Sequence, residues 1–161
     1  MPFDRLVAAV DRWAGESGRD DVVAQIGETD LRPEHIEWFE RVAPAEFTRL
    51  CRDADLLIAH AGMGSILTAL EHGTPVLVMP RHGAKRETRN DHQIATAEAL
   101  SAQGRVMVAM DESALVETLR DLGPLSAAPT ISAHASDGLL AAVGGFVDAP
   151  GGRLRALLGR A

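Results

Sequence analysis

Two stretches of the chain carry residue types whose spacing could do chemistry. The first is His60-Ala61-Gly62-Met63-Gly64-Ser65, which lies between an apolar run, Leu56 to Ala59, and a segment with Ile66, Leu67, Ala69 and Leu70 at helical spacing. A glycine turn that opens a helix offers free main-chain N–H groups and the positive end of the helix dipole, and together these favour a phosphate or diphosphate. Gly62 and Gly64 are expected to adopt positive φ and to let a ligand approach the backbone, with Ser65 capping the helix. The second stretch is Asn90-Asp91-His92-Gln93, a run of amide, carboxylate and imidazole groups able to hydrogen-bond a polar ligand. Both have a plainer account. Glycines between a strand and a helix can simply reverse the chain, and His92 and Gln93 can simply start a helix that Asp91 caps.

The elements that must position these residues follow from periodicity. Asp55 to Pro80 reads strand, glycine turn, helix, strand, with the helix stopping at Gly73 in a left-handed C-cap, Pro75 beyond it and a second apolar run at Val76 to Met79. Ahead of this unit, Phe3 to Ala14 sets Phe3, Leu6, Val7, Val10 and Trp13 on one helical face. Val22 to Ile26 reads as a buried strand, Ile36 to Val42 as a further short strand, and Ala45 to Asp53, after Pro44, as a helix with Phe47, Leu50 and Cys51 inward. After Pro80 comes the charged segment RHGAKRETRNDHQ. In it Arg81, Lys85, Arg86, Glu87 and Arg89 read as a solvated loop, although its basic groups could help a diphosphate. Helix resumes at about Gln93 to Ser101, followed by a strand at Arg105 to Met110 and a helix at Glu112 to Leu122.

Alternating strands and helices predict an α/β fold, a doubly wound parallel sheet, which binds ligands at the carboxyl ends of its strands. Such a fold normally begins with a central strand, whereas here the first helix has none before it. Neighbouring strands would then carry unpaired backbone groups, and self-association through the exposed edge is expected. Residues 1–122 form the predicted domain. Residues 123–161 form a Gly, Ala, Pro and Ser-rich linker and a tail, whose Arg153-to-Arg160 segment reads either as a docking helix or as a frayed terminus.

Composition narrows the function classes. A net charge of −7 and the lack of a basic stripe argue against nucleic-acid binding. Cys51 is the single cysteine, so neither an internal disulfide nor a cysteine-cluster metal site is possible. His35, His72 and His82 are isolated in sequence and have no metal-binding spacing, and no Ser-His-Asp order is present. No run approaches the roughly 18 apolar residues of a membrane span, and no signal-peptide pattern opens the chain, so a cytoplasmic location is expected.

One ordered set of motifs resembles a known family. Pro2-Phe3-Asp4-Arg5-Leu6, Gln25-Ile26-Gly27, Ala54-Asp55-Leu56, His60 to Ile66, Gly73-Thr74-Pro75, Met79-Pro80-Arg81 and Asn90-Asp91-His92-Gln93 are similar to the family 28 glycosyltransferase C-terminal domain, over residues 2 to 122. Within it, the chain resembles the small catalytic subunits of two-part glycosyltransferases of dolichol-type or bacterial exopolysaccharide assembly. The resemblance implies the Rossmann-like, nucleotide-sugar-binding half of a GT-B enzyme. It also implies a separate membrane-anchored subunit that binds a lipid-linked acceptor and holds the complex at the inner membrane. By the same resemblance Gly62, Gly64 and Ser65 would face the donor diphosphate, His60 would sit at the turn's entrance, Met63 would belong to the same donor-binding turn, and Asn90, His92 and Gln93 would contact the donor sugar or ribose. No cofactor or metal is implied beyond the UDP-sugar substrate, and the general base is not assigned.

Two features depart from the family pattern. A strand ending in Gly-Thr usually precedes the Pro-Phe-Asp-Arg motif, and the position of a ribose-binding glutamate in the related peptidoglycan enzyme aligns with Thr68, with Glu71 one turn away. A non-catalytic nucleotide-binding or scaffolding subunit therefore stands as the alternative to a transferase. A nucleotide-sugar epimerase would share the fold, but no epimerase-type acid and base pair is present.

Overall fold

The computed structural model describes residues 2–89, 91–128 and 130. Two compact units divide the chain, residues 1–131 and 132–161, and the described residues all lie in the first. The tail segment Arg153 to Arg160 lies outside the described residues.

The element order is α1 (Asp4–Ser17), β1 (Val23–Gln25), β2 (Glu37–Phe39), α2 (Pro44–Asp53), β3 (Leu57–Ala59), α3 (Met63–His72), β4 (Val76–Val78), a 3-10 turn (Gly83–Lys85), α4 (His92–Ala102), β5 (Met107–Val108) and α5 (Glu112–Asp121). Every strand pairing is parallel. The expected single sheet is, however, divided among the described residues into a pair, β1-β2, and a trio, β3-β4-β5. In the pair Val23 faces Glu37 and Gln25 faces Phe39, and in the trio Leu57 faces Val76 and Leu77 faces Met107.

Two cores lie on opposite faces of the trio, which is what double winding requires. Side chains alternate along β4: Leu77 and Met79 enter the core under α1 and α5 with Leu6, Val10, Trp13, Leu115 and Leu119, while Val76 and Val78 enter the core under α2, α3 and α4 with Cys51, Ile66, Leu70 and Ala97. All three residues of β4 are therefore buried, the pattern of a strand covered on both faces. β1 differs. Val22, Ala24 and Ile26 join the α1 core, but Val23 and Gln25 are exposed, so the sequence expectation of a buried strand holds for one face only.

Local signals set the helix ends. Pro44 occupies the first turn of α2, Gly73 ends α3 at φ 73° with its N–H on the Ala69 and Leu70 carbonyls, and the Asp111 carboxylate caps α5 by accepting from the Ala114 N–H at 2.9 Å. Past α5, the Ala128 N–H donates to the Gly73 carbonyl at 2.8 Å, tying the chain back to the end of α3.

Candidate functional site at the carboxyl edge

Because the strands run parallel, the segments that leave their carboxyl ends converge. The turn 60–62 leaves β3, residues 79–89 leave β4 and residues 109–111 leave β5. The start of α1 is fastened to the same edge: the Arg5 guanidinium donates to both Glu87 carboxylate oxygens at 2.7 and 3.0 Å, to Glu112 Oε2 at 3.0 Å and to the Pro80 carbonyl at 3.0 Å. Both Arg5 and Glu87 side chains are nearly buried, 12 and 13 % exposed. The Glu87 hydrogen bond holds the Arg5 proton more firmly than usual, despite burial. Burial alone would raise the Glu87 carboxyl, but the bonds from Arg5 and from the His82 N–H outweigh it and lower its pKa. Glu87 thus belongs to a structural clamp, which corrects the expectation of a solvated loop at this position. Nothing in the local sequence around Arg5 signals a partner 82 positions later.

The turn after β3 also differs from expectation. Gly62 has φ −92° and neither it nor Gly64 is in the left-handed region, so backbone freedom is not what the turn requires of glycine. The His60 imidazole lies where a Gly62 Cβ would stand, whereas a Cβ on Gly64 would meet nothing within 4 Å. Gly62 therefore accommodates His60, and Gly64 leaves open space above the first turn of α3. Ser65 does not cap α3. Gly62 is the N-cap residue, no side chain caps the helix, and the first intrahelical bond runs from the Ile66 N–H to the Gly62 carbonyl. Among the described residues no acceptor takes the N–H groups of Met63, Gly64 or Ser65, the arrangement that can receive an anion. Met63 is exposed, Ser65 half-buried, and Thr68 turns its hydroxyl to the Gly64 carbonyl at 3.0 Å.

His60 is held neutral at pH 7. Burial, with the nearby Arg81 charge adding to it, lowers its pKa to about 4. A neutral imidazole can donate from one ring nitrogen and accept at the other. Arg81 lies partly buried against the Phe3 ring, 5.0 Å from its centroid, with Arg5 5.1 Å from the same ring. Its Nη1 donates to the Glu87 carbonyl at 3.3 Å, while its buried Nε has no partner among the described residues. An unpartnered buried donor on a cation is costly without an anion or water, and Arg81 belongs to the segment expected to be a solvated loop whose basic groups could help a diphosphate.

The second stretch is divided in role. Asn90 lies outside the described residues. Asp91 precedes α4 without capping it, and its carboxylate instead accepts the Gly83 N–H at 2.7 Å. His92 is the exposed first residue of α4. Gln93 is buried, and its side-chain oxygen accepts the Arg81 N–H at 3.2 Å, so this amide holds the segment after β4. The His35 ring, isolated in sequence, packs on Gly15 of α1. No three His, Cys, Asp or Glu side chains among the described residues group to hold a metal ion.

Fold and site together define an open, doubly wound α/β domain with a candidate anion site where α3 begins. The chain belongs to the glycosyltransferase family 28 C-terminal domain family, whose model matches residues 2–136. It is 44 % identical over 69 residues to the UDP-N-acetylglucosamine transferase subunit ALG13 of Cryptococcus neoformans var. neoformans serotype D, a match covering 42 % of this chain and 32 % of that one. It is 36 % identical over 75 residues to the UDP-N-acetylglucosamine--N-acetylmuramyl-(pentapeptide) pyrophosphoryl-undecaprenol N-acetylglucosamine transferase of Synechococcus sp., covering 47 % of this chain and 20 % of that one. These matches thus span about a third or less of each curated relative. Among solved structures, the glycotransferase of kitacinnamycin aligns with a TM-score of 0.52 and 24 % identity, over 72 % of this chain and 30 % of that one, which supports the fold.

Proposed function

We propose that this chain is the donor-binding catalytic subunit of a glycosyltransferase that moves a sugar from a UDP-sugar to a lipid-linked acceptor in polysaccharide or glycolipid assembly. The observation that carries the reading is the uncapped start of α3, in a chain of the family 28 domain whose carboxyl edge also carries the unpartnered Nε of Arg81. The N–H groups of Met63, Gly64 and Ser65 would take the donor diphosphate, and the charge of the leaving UDP, which grows in the transition state, is what such donors stabilise. Neutral His60 would hydrogen-bond a donor hydroxyl or phosphate at the mouth of the turn, with His92, Gln93 and Asn90 toward the sugar or ribose. No metal or cofactor takes part in this scheme.

Residues 1–122 would form the donor domain and 123–161 a linker and tail. A membrane-anchored partner would bind the acceptor and keep the complex at the cytoplasmic side of the membrane. Two observations favour it: one curated relative is itself a subunit, and no described helix is long and apolar enough to cross a membrane.

Thermal unfolding with UDP, against ADP, tests donor binding. UDP at about 100 times its dissociation constant should add roughly 2.7 kcal/mol. Gly64→Asp should abolish that gain with the fold intact, and undiminished UDP stabilisation in this variant would reject the site. Sugar transfer by the chain with its partner separates the catalytic reading from the scaffolding one, which the divided sheet favours.

A further inference from the structure

Between β4 and α4 the polar groups form one chain of hydrogen bonds that starts at α1 and ends in the first turn of α4. Arg5 donates to the Pro80 carbonyl at 3.0 Å and to both Glu87 carboxylate oxygens at 2.7 and 3.0 Å. Glu87 passes the hold on, its Oε2 accepting the His82 N–H at 2.9 Å and its own N–H donating to the His82 carbonyl at 3.3 Å. The Gly83 N–H then donates to Asp91 Oδ1 at 2.7 Å, and the Asp91 carbonyl accepts the Ile94 N–H of α4 at 3.1 Å. Within this loop Arg86 stands at φ 58°, and among the described residues it alone of the non-glycine residues has a positive φ. Such a backbone persists only where its surroundings over-determine it.

The turn after β3 has a separate support. The Gly62 N–H bonds the His60 carbonyl at 2.7 Å and the Ile66 N–H bonds the Gly62 carbonyl at 3.4 Å, so this turn is held by its own backbone. The open start of α3 and the polar start of α4 are therefore fixed by different residues. Recognition of hydroxyl groups by hydrogen bonds needs the recognising side chains held to within about 0.5 Å, which makes the support of α4 part of what a ligand there would sense.

We propose that Glu87 and Asp91 are positioning residues for sugar recognition. Arg5 holds Glu87, and the two carboxylates set where the start of α4 presents His92 and Gln93 to the sugar of a nucleotide-sugar donor, without governing how its diphosphate binds at α3. This rests on the donor-binding reading given above. Neither carboxylate contacts the donor; each acts through the backbone of residues 82–83 and the entry to α4.

Asp91 gives the cleaner test, because it is exposed at the last link and its loss leaves the Arg5 clamp whole. Asp91→Ala removes the acceptor of the Gly83 N–H, whereas Asp91→Asn keeps an oxygen there; both remove the same charge, so their difference reads geometry alone. The full chain is titrated calorimetrically with UDP, UDP-glucose and UDP-N-acetylglucosamine. Asp91→Ala is expected to weaken whichever sugar nucleotide the unaltered chain binds more tightly by about tenfold, to leave UDP within about twofold, and to speed amide exchange at Gly83 by about tenfold. Asp91→Asn should restore most of each. Glu87→Gln, where it folds, should show the same split, and Leu119→Ala, which loosens the core under α1 and α5, should show none. Equal losses for UDP and the sugar nucleotide in Asp91→Ala would mean a merely structural role and overturn the proposal. So would unchanged sugar-nucleotide affinity, unchanged exchange at Gly83, or Asp91→Asn behaving like Asp91→Ala. A chain that binds UDP but neither sugar nucleotide overturns it too and leaves the diphosphate site standing. Failure of the unaltered chain to bind UDP removes the donor-binding reading, and the proposal with it.

Discussion

The three-stranded and two-stranded sheets are built from similar short apolar runs, yet they differ in what covers them. β4 is buried at all three positions because α1 and α5 close one face and α2, α3 and α4 the other. β1 has α1 on one face only, and Val23 is 43 % exposed and Phe39 of its partner strand 41 %. Burial, not strand composition, therefore separates a sheet that can hold a site rigidly from one whose free edge is open to pairing. The candidate site belongs to the rigid half: its turn leaves β3 and its guanidinium leaves β4.

Large-to-small substitution in each half is the strongest way to break this contrast. Leu77→Ala, at a position with no exposure, should cost about 4 kcal/mol in urea unfolding, and Val23→Ala about 0.5 kcal/mol. Similar losses at the two sites would mean that β1 is covered as well as β4. The same contrast separates two ion pairs. Glu87→Gln leaves the Arg5 charge nearly buried with Glu112 alone, and should cost about 3 kcal/mol. Glu28→Gln removes the partner of Arg41 where both side chains are over 70 % exposed, and should change stability by about 0.5 kcal/mol or less.

Much of this arrangement was legible in the sequence because it rests on short-range signals. The strand, turn, helix and strand around His60 to Val78, the C-cap at Gly73 and the proline start of α2 all depend on residues within a few positions of one another. What escaped depends on distance in sequence or on backbone detail. The Arg5–Glu87 clamp joins two segments whose charges each look solvated alone, and Gln93 is recruited by an N–H 12 residues away. The need for glycine at 62 comes from a side chain folding back on the turn, not from φ, and nothing in a Gly-x-Gly pattern distinguishes the two.

Acid titration sharpens the contrast next, because the lowered groups that are partly withdrawn from water, His60, Glu87 and Glu112, lie in the rigid half. The side chains of lowered Asp21, Glu46 and Asp53 are exposed. His60 has a folded pKa of about 4 against 6.5 when free, so the unfolded chain binds the extra proton between those values. Its contribution is complete above about pH 6.5 and is lost as pH falls toward 4. Glu87 and Glu112, also lowered, add losses beginning below the ordinary carboxylate value of about 4.3. Stability should drop by about 2 kcal/mol between pH 7 and 4.5, less than the full His60 difference because the ring is partly exposed. Urea midpoints across this range check it, and His60→Gln should flatten the curve between pH 6.5 and 4.5. An unchanged slope in that variant would place the titrating group elsewhere.

The finest test lies within the turn itself, where two glycines have opposite reasons to be there. An alanine methyl at 62 would collide with the His60 ring, so Gly62→Ala must displace the imidazole and should cost about 1 to 2 kcal/mol. An alanine methyl at 64 meets nothing, and as the second residue of α3 it should gain helix propensity, raising stability by about 0.5 kcal/mol. If the open space above Gly64 is where a diphosphate approaches the N–H groups, that same methyl should weaken UDP binding by roughly tenfold, or about 1.4 kcal/mol, while the protein becomes more stable. Calorimetric titration with UDP beside urea unfolding reads both quantities on one variant. Stability and affinity moving in opposite directions at Gly64 would mark the space as a ligand's. Unchanged affinity would leave the turn as a chain reversal whose glycine at 64 has no part in binding.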